Sequence, residues 1–74
     1  RKVEPCYAFV GAEVRALRQS RQMTQQALAD QCRVTRASVV NFEAGRQRVP
    51  LHTLLLFAQA LEVPPRALLR SVLA

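Results

Sequence analysis

Seventy-four residues carrying a formal charge of +6 and a pI of about 11.1 make one domain, which buries only about 60% of its unfolded surface and holds one core with no deep substrate cleft. Half of the residues are hydrophobic (50%), with two glycines and four prolines, a composition that argues against disorder, and no apolar run approaches the roughly 18 residues of a membrane span. The basic balance favours a polyanionic partner, nucleic acid or an acidic membrane surface.

Nothing resembles a signal peptide, and Cys6 and Cys32 belong to no CxxC pair, so reduced thiols in a cytoplasmic protein are expected. His52 is the sole histidine. That argues against a zinc site and against a Ser/His/Asp or Cys/His catalytic set. Without a glycine-rich phosphate loop, the expectation is a non-enzyme with no metal and no cofactor.

Apolar positions recur at spacings of three and four rather than two, which predicts an all-α chain. Five short helices fit. Residues 1–8 form an arm or the start of the first helix, and residues 9–74 the domain proper. The first helix carries Val10, Val14 and Leu17 on one face and fades into the polar run Arg18 to Gln22. Thr24 is a good N-cap for a second helix holding Leu28 and Cys32 at i and i+4. Thr35 caps a third, which runs to about Glu43 and stops at Gly45. Pro50 opens a fourth, striped by Leu54, Phe57, Ala58 and Leu61. Pro64 and Pro65 break the chain and begin a short fifth helix with Leu68, Leu69 and Val72.

The joint between the second and third helices is short, since only Arg33 and Val34 separate Cys32 from the cap at Thr35. Such a corner makes the helices cross steeply, with Leu28, Val34, Val39 and Phe42 between them and the small Ala29 where the backbones approach. Sharp two-helix corners of this kind mark a helix-turn-helix. At about 100° per residue, Val39, Phe42 and Glu43 share one side of the third helix. Arg36, Ala37, Val40, Asn41 and Ala44 share the other. A narrow face of small residues tipped with a guanidinium and an amide fits a DNA major groove, where Arg reads guanine O6 and N7 and Asn reads adenine N6 and N7.

The segment from Met23 to Leu61, MTQQALADQCRVTRASVVNFEAGRQRVPLHTLLLFAQAL, resembles the lambda-repressor-like (Cro/xenobiotic-response-element class) helix-turn-helix family. The resemblance lies in the polar cap and Gln before Leu-Ala, the short turn, the Glu-x-Gly that ends the third helix, the basic loop, and Leu54, Ala58 and Leu61 in the fourth. It implies a compact five-helix DNA-binding domain. It implies further that Gln25 holds a DNA phosphate at the start of the second helix, and that Thr35, Arg36, Ala37 and Asn41 read bases. Ser38 is expected to make a local or phosphate hydrogen bond. Arg46 and Arg48 match cations that contact the DNA backbone, beside amide donors at Ala44 and Gly45. Phosphate contacts set register, and Arg36 and Asn41 set sequence. Glu43 faces the core, where an unpaired charge is costly; the resemblance implies Arg18 as its structural partner. One departure is Arg33, where the family usually has a glycine in a left-handed conformation, at about 1 kcal/mol of backbone strain.

In the fourth helix the inward stripe leaves Leu56 aside, and Leu68, Leu69, Val72 and Leu73 crowd a segment too short to bury them all. Unless the fifth helix packs down on the first and fourth, a second copy covers this patch. The expectation is therefore a homodimeric transcription regulator, a repressor, on a near-palindromic double-stranded operator with half-sites about 34 Å apart. The competing expectation is an antitoxin or other interaction module that uses the same fold to bind a protein such as a toxin. Membrane binding is disfavoured because the basic groups lie on separate elements rather than along one amphipathic helix.

Overall fold

The computed structural model describes residues 5–73 and is all-helical over that range. Helix α1 spans Pro5–Ser20, α2 Gln25–Cys32, α3 Arg36–Glu43 and α4 Leu51–Leu61. A 3-10 helix over Pro65–Leu69 then leads into a last α turn, α5, Arg70–Leu73. Residues 1–4 of the expected arm lie outside the described residues; the remainder of that segment, from Pro5, is the first turn of α1. The helix also continues through the polar run to Ser20 and buries Arg18 beside Val10 and Val14.

Caps set the boundaries of the central pair. The Thr24 hydroxyl accepts from the Ala27 N–H at 3.0 Å, and Thr35 accepts from the Ser38 N–H at 3.1 Å, each satisfying a donor that the helix start leaves free. The C-terminal ends of α1 to α4 share one device. The N–H of Met23, Val34, Arg46 and Val63 donates back to the carbonyl five residues earlier, on Arg18, Ala29, Asn41 and Ala58 respectively. The residue before each donor is left-handed: Gln22, Arg33, Gly45 and Glu62 have φ of 56°, 57°, 76° and 58°. Three of these four lack the glycine that such a cap favours. Apolar Met23, Val34 and Val63 follow them and pack on the core, which offsets the strain.

Val10, Val14, Leu28, Ala29, Val39, Phe42, Phe57, Ala58, Leu61 and Leu68 form the core, with the Phe42 and Phe57 ring centroids 5.4 Å apart. Cys32 belongs to the same core, and burial pushes its thiol up to about 11; Cys6 is exposed and free. Gly11 sits where α1 crosses α3. A Cβ there would stand 2.1 Å from the Phe42 carbonyl oxygen, so only glycine permits this approach.

The C-terminal segment departs from expectation. Pro64 and Pro65 have no N–H to give, and the Ala67 N–H bonds the Pro64 carbonyl at 2.9 Å, a 3-10 contact that winds the chain more tightly than an α-helix. Leu68, expected in an outward dimer patch, turns inward and is 1% exposed. Leu69 is half-buried. Leu56 is half-buried too and lines a shallow depression with Gln31, Gln59 and Ala60, on the α2 side of α4. The large apolar residues left outside are Phe9, Leu51, Leu55, Val72 and Leu73, the last 69% exposed.

Candidate nucleic-acid interface

Helix α3 is eight residues long and two-sided. Its inner face, Val39, Phe42 and Glu43, is buried. On its outer face Arg36, Ala37 and Ala44 are exposed, and Val40 and Asn41 are half-buried. The corner that presents it has Arg33 in the left-handed conformation, with Ala29 completely buried at the crossing.

A polar network fixes the inner end. Arg18 donates from Nε to Glu43 Oε2 at 2.7 Å and from Nη2 to Oε1 at 3.1 Å, while Nη1 donates to the Met23 carbonyl at 2.8 Å. Both ionic side chains are buried, and bidentate geometry with a third acceptor compensates the loss of water. Gln25 joins this network, its Nε2 donating to Glu43 Oε1 at 3.1 Å. Its amide is thus tied to the protein rather than free at the start of α2, with one N–H left for an outside acceptor.

The loop after α3 folds back on the outer face. Arg46 Nη2 donates to Asn41 Oδ1 at 3.1 Å, and Gln47 Nε2 donates to Ser38 Oγ at 3.2 Å. Ser38 Oγ also accepts from the Thr35 hydroxyl at 3.1 Å, so its hydrogen bonds here are local. The Arg48 guanidinium stands 5.9 Å from the centroid of the Tyr7 ring, a distance at which a cation is attracted to the ring face. Glycine is favoured at position 45 on two counts. Its φ is +76°, and a Cβ would lie 2.9 Å from the Ala8 Cβ.

The sequence reading missed Tyr7, Gln47 and Gly11. An isolated glycine inside a helical pattern is a signal for close backbone approach and could have revealed Gly11. No sequence pattern marks the other two.

Among the described residues three arginines are neutralised by ion pairs, Arg18 by Glu43, Arg21 by Glu62 and Arg70 by Glu13, the latter two at 2.8 Å. No such pair involves Arg33, Arg36, Arg46 or Arg48 among the described residues, so the corner, the outer face of α3 and its loop keep their positive charge. Among the described residues no cluster of three metal-ligating side chains occurs, and no helix is long and apolar enough to cross a membrane.

A two-helix corner with a capped, two-faced second helix defines a helix-turn-helix. The family profile described as a helix-turn-helix domain matches residues 10–72, and the chain belongs to that family. Among solved structures, it is similar to the restriction-modification controller protein C.AhdI from Aeromonas hydrophila, with 31% identity and a TM-score of 0.83 over 88% of this chain and 98% of that one. A hypothetical transcription factor, NHTF, from Neisseria is 30% identical with a TM-score of 0.81, over 86% of this chain and 72% of that one. The clp gene regulator ClgR from Corynebacterium glutamicum shares the fold at 24% identity and a TM-score of 0.89, over 96% of this chain and 76% of that one. No curated protein matches the sequence.

Proposed function

We propose that the protein is a transcription regulator, a repressor, that binds double-stranded DNA by placing α3 in the major groove. The observation that carries this reading is the division of α3: its inner face is buried, while its outer face offers Arg36, Ala37 and Asn41 beside the cationic loop of Arg46 and Arg48. Small residues between a guanidinium and an amide let the helix approach base edges closely, and those two groups match guanine and adenine. Thr35 flanks the reading face, although its hydroxyl is engaged with Ser38. Gln25, Ser38, Arg46, Arg48 and the amides of Ala44 and Gly45 surround that face as the phosphate contacts that fix register. The relatives support the reading, since their names describe a controller protein and a hypothetical transcription factor.

The regulator acts as a homodimer. Exposed Leu51, Leu55, Val72 and Leu73 offer apolar area for a two-fold contact, with Leu69 at its edge. Leu68 is excluded by its burial. The protein measures 27 × 26 × 20 Å. On this reading a two-fold pair presents two copies of α3 to major-groove faces one turn, roughly 34 Å, apart.

Affinity measurements on a selected operator and on unrelated duplexes, at several salt concentrations, test the reading. Arg36→Ala should cost about 1–3 kcal/mol on the operator and relax one base position. Arg48→Ala should weaken all duplexes alike and flatten the salt slope by about one unit per lost phosphate contact. A parent protein with no preference among duplexes would overturn it.

A further inference from the structure

The loop that follows α3 does more than carry charge. Gly45 turns the chain back, and the Arg46 N–H closes on the Asn41 carbonyl at 2.9 Å. The next two side chains therefore lie over the outer face of the helix they have just left. They touch it at Asn41 and Ser38, positions three apart and so on one side of the helix. Through Ser38 the second contact reaches the Thr35 hydroxyl.

We propose that Arg46 and Gln47 are positioning residues, a two-point clamp that fixes the side chains of Asn41 and Thr35 for base reading, and that Arg46 sets Asn41 to read adenine in one direction along the groove. The proposal rests on the assignment of α3 as the DNA-reading helix. A guanidinium only donates, so its bond to Oδ1 is compatible with one of the two orientations of the Asn41 amide. The carbonyl is turned to the loop and the amino group away from it. The carbonyl keeps a second lone pair, and the amide thus offers a donor and an acceptor in fixed order. Adenine presents the complement, acceptor N7 beside donor N6. An amide free to turn over would offer the two in either order and discriminate less. The guanidinium has further N–H groups for a phosphate, so holding Asn41 and holding the DNA backbone are compatible at Arg46. At the other end, Gln47 is half-buried and holds Ser38 Oγ, the acceptor of the Thr35 hydroxyl, so that the Thr35 oxygen, which also caps the Ser38 N–H, keeps one lone pair in a fixed direction for an outside donor.

The experiment is binding-site selection from random duplexes, followed by affinity measurements on the selected operator and its single-base-pair variants, using the full chain. Arg46→Ala is expected to lose about tenfold in discrimination at the base pair read by Asn41, and Gln47→Ala roughly threefold at that read by Thr35, with the preference at the Arg36 position intact. Arg46→Lys, which still donates to the carbonyl, should keep the preference. In an Asn41→Ala background, Arg46→Ala should change no base preference at all. Weakening that is equal on every sequence would overturn the clamp and leave Arg46 a phosphate contact. A second readout needs no DNA: the side-chain amide resonances of Asn41 should shift in Arg46→Ala and stay in place in Arg48→Ala. Identical resonances in the parent and in Arg46→Ala would also overturn it. If the parent prefers no duplex sequence, the DNA-reading assignment fails, and the amide spectra still decide whether the clamp holds Asn41.

Discussion

The α2–α3 corner and the segment from Pro64 to Leu73 are both short, yet they are specified in opposite ways. At the corner, two threonine caps, a left-handed Arg33 and a buried arginine–glutamate pair fix every boundary. The C-terminal segment has no side-chain cap. It is anchored chiefly by one buried residue, Leu68, to which half-buried Leu69 and the exposed ion pair from Arg70 to Glu13 add little. Many weak local rules agreeing with one another make the corner rigid. A single anchor leaves the other segment with apolar side chains facing outward, which is tolerable where another surface covers them.

Substitutions at each region should separate these two designs. The largest effect is expected at Gly11, which supports the corner from behind. Gly11→Ala places a methyl 2.1 Å from the Phe42 carbonyl oxygen, and pushing α1 off α3 should cost about 3 kcal/mol or more in a denaturant melt. Glu43→Gln leaves the Arg18 charge buried without a counter-charge and should cost roughly 3 kcal/mol. A melt within a degree of the parent would show that the pair contributes nothing. In the C-terminal segment, Leu68→Ala should cost about 2–3 kcal/mol, whereas Leu73→Ala should stay within about 0.5 kcal/mol. Equal costs at 68 and 73 would erase the single-anchor description. A change of the opposite sign sharpens the comparison: Arg33→Gly relieves the left-handed strain at the corner and should gain about 1 kcal/mol, visible as a melting temperature higher by roughly 5 °C.

Much of the corner could be read in the sequence because its determinants are local. Thr24 and Thr35 stand directly before apolar periodic runs, and Glu43 falls on the same side of α3 as Val39 and Phe42. Charge at an inward position demands a partner. The C-terminal segment could not be read as well. A 3-10 helix turns about 120° per residue rather than 100°, so inward and outward positions counted on α-helical spacing are displaced, and Leu68 ends inside. The loop contacts were opaque for a different reason. Arg46 to Asn41, Gln47 to Ser38 and Arg48 to Tyr7 depend on the path of an irregular chain after Gly45, and no periodicity describes such a path. The caps of α1 and α4 were hidden as well, because Gln22 and Glu62 occupy left-handed positions without the glycine that announces one.

Glu43 has a consequence for the time a helix spends folded. Eight residues in isolation are too few for a persistent helix in water, because nucleation costs more than so few turns return. Here one carboxylate ties the end of α3 to α1 through Arg18 and to α2 through Gln25, while Arg18 also fastens the chain at Met23. Fraying of α3 alone would strand a charge in the core, so the amide hydrogens bonded within α3, from Val39 on, should exchange with solvent only when the whole domain opens. The conformational entropy of ordering this helix is therefore lost once, during folding, and a partner meets a surface whose shape is already set.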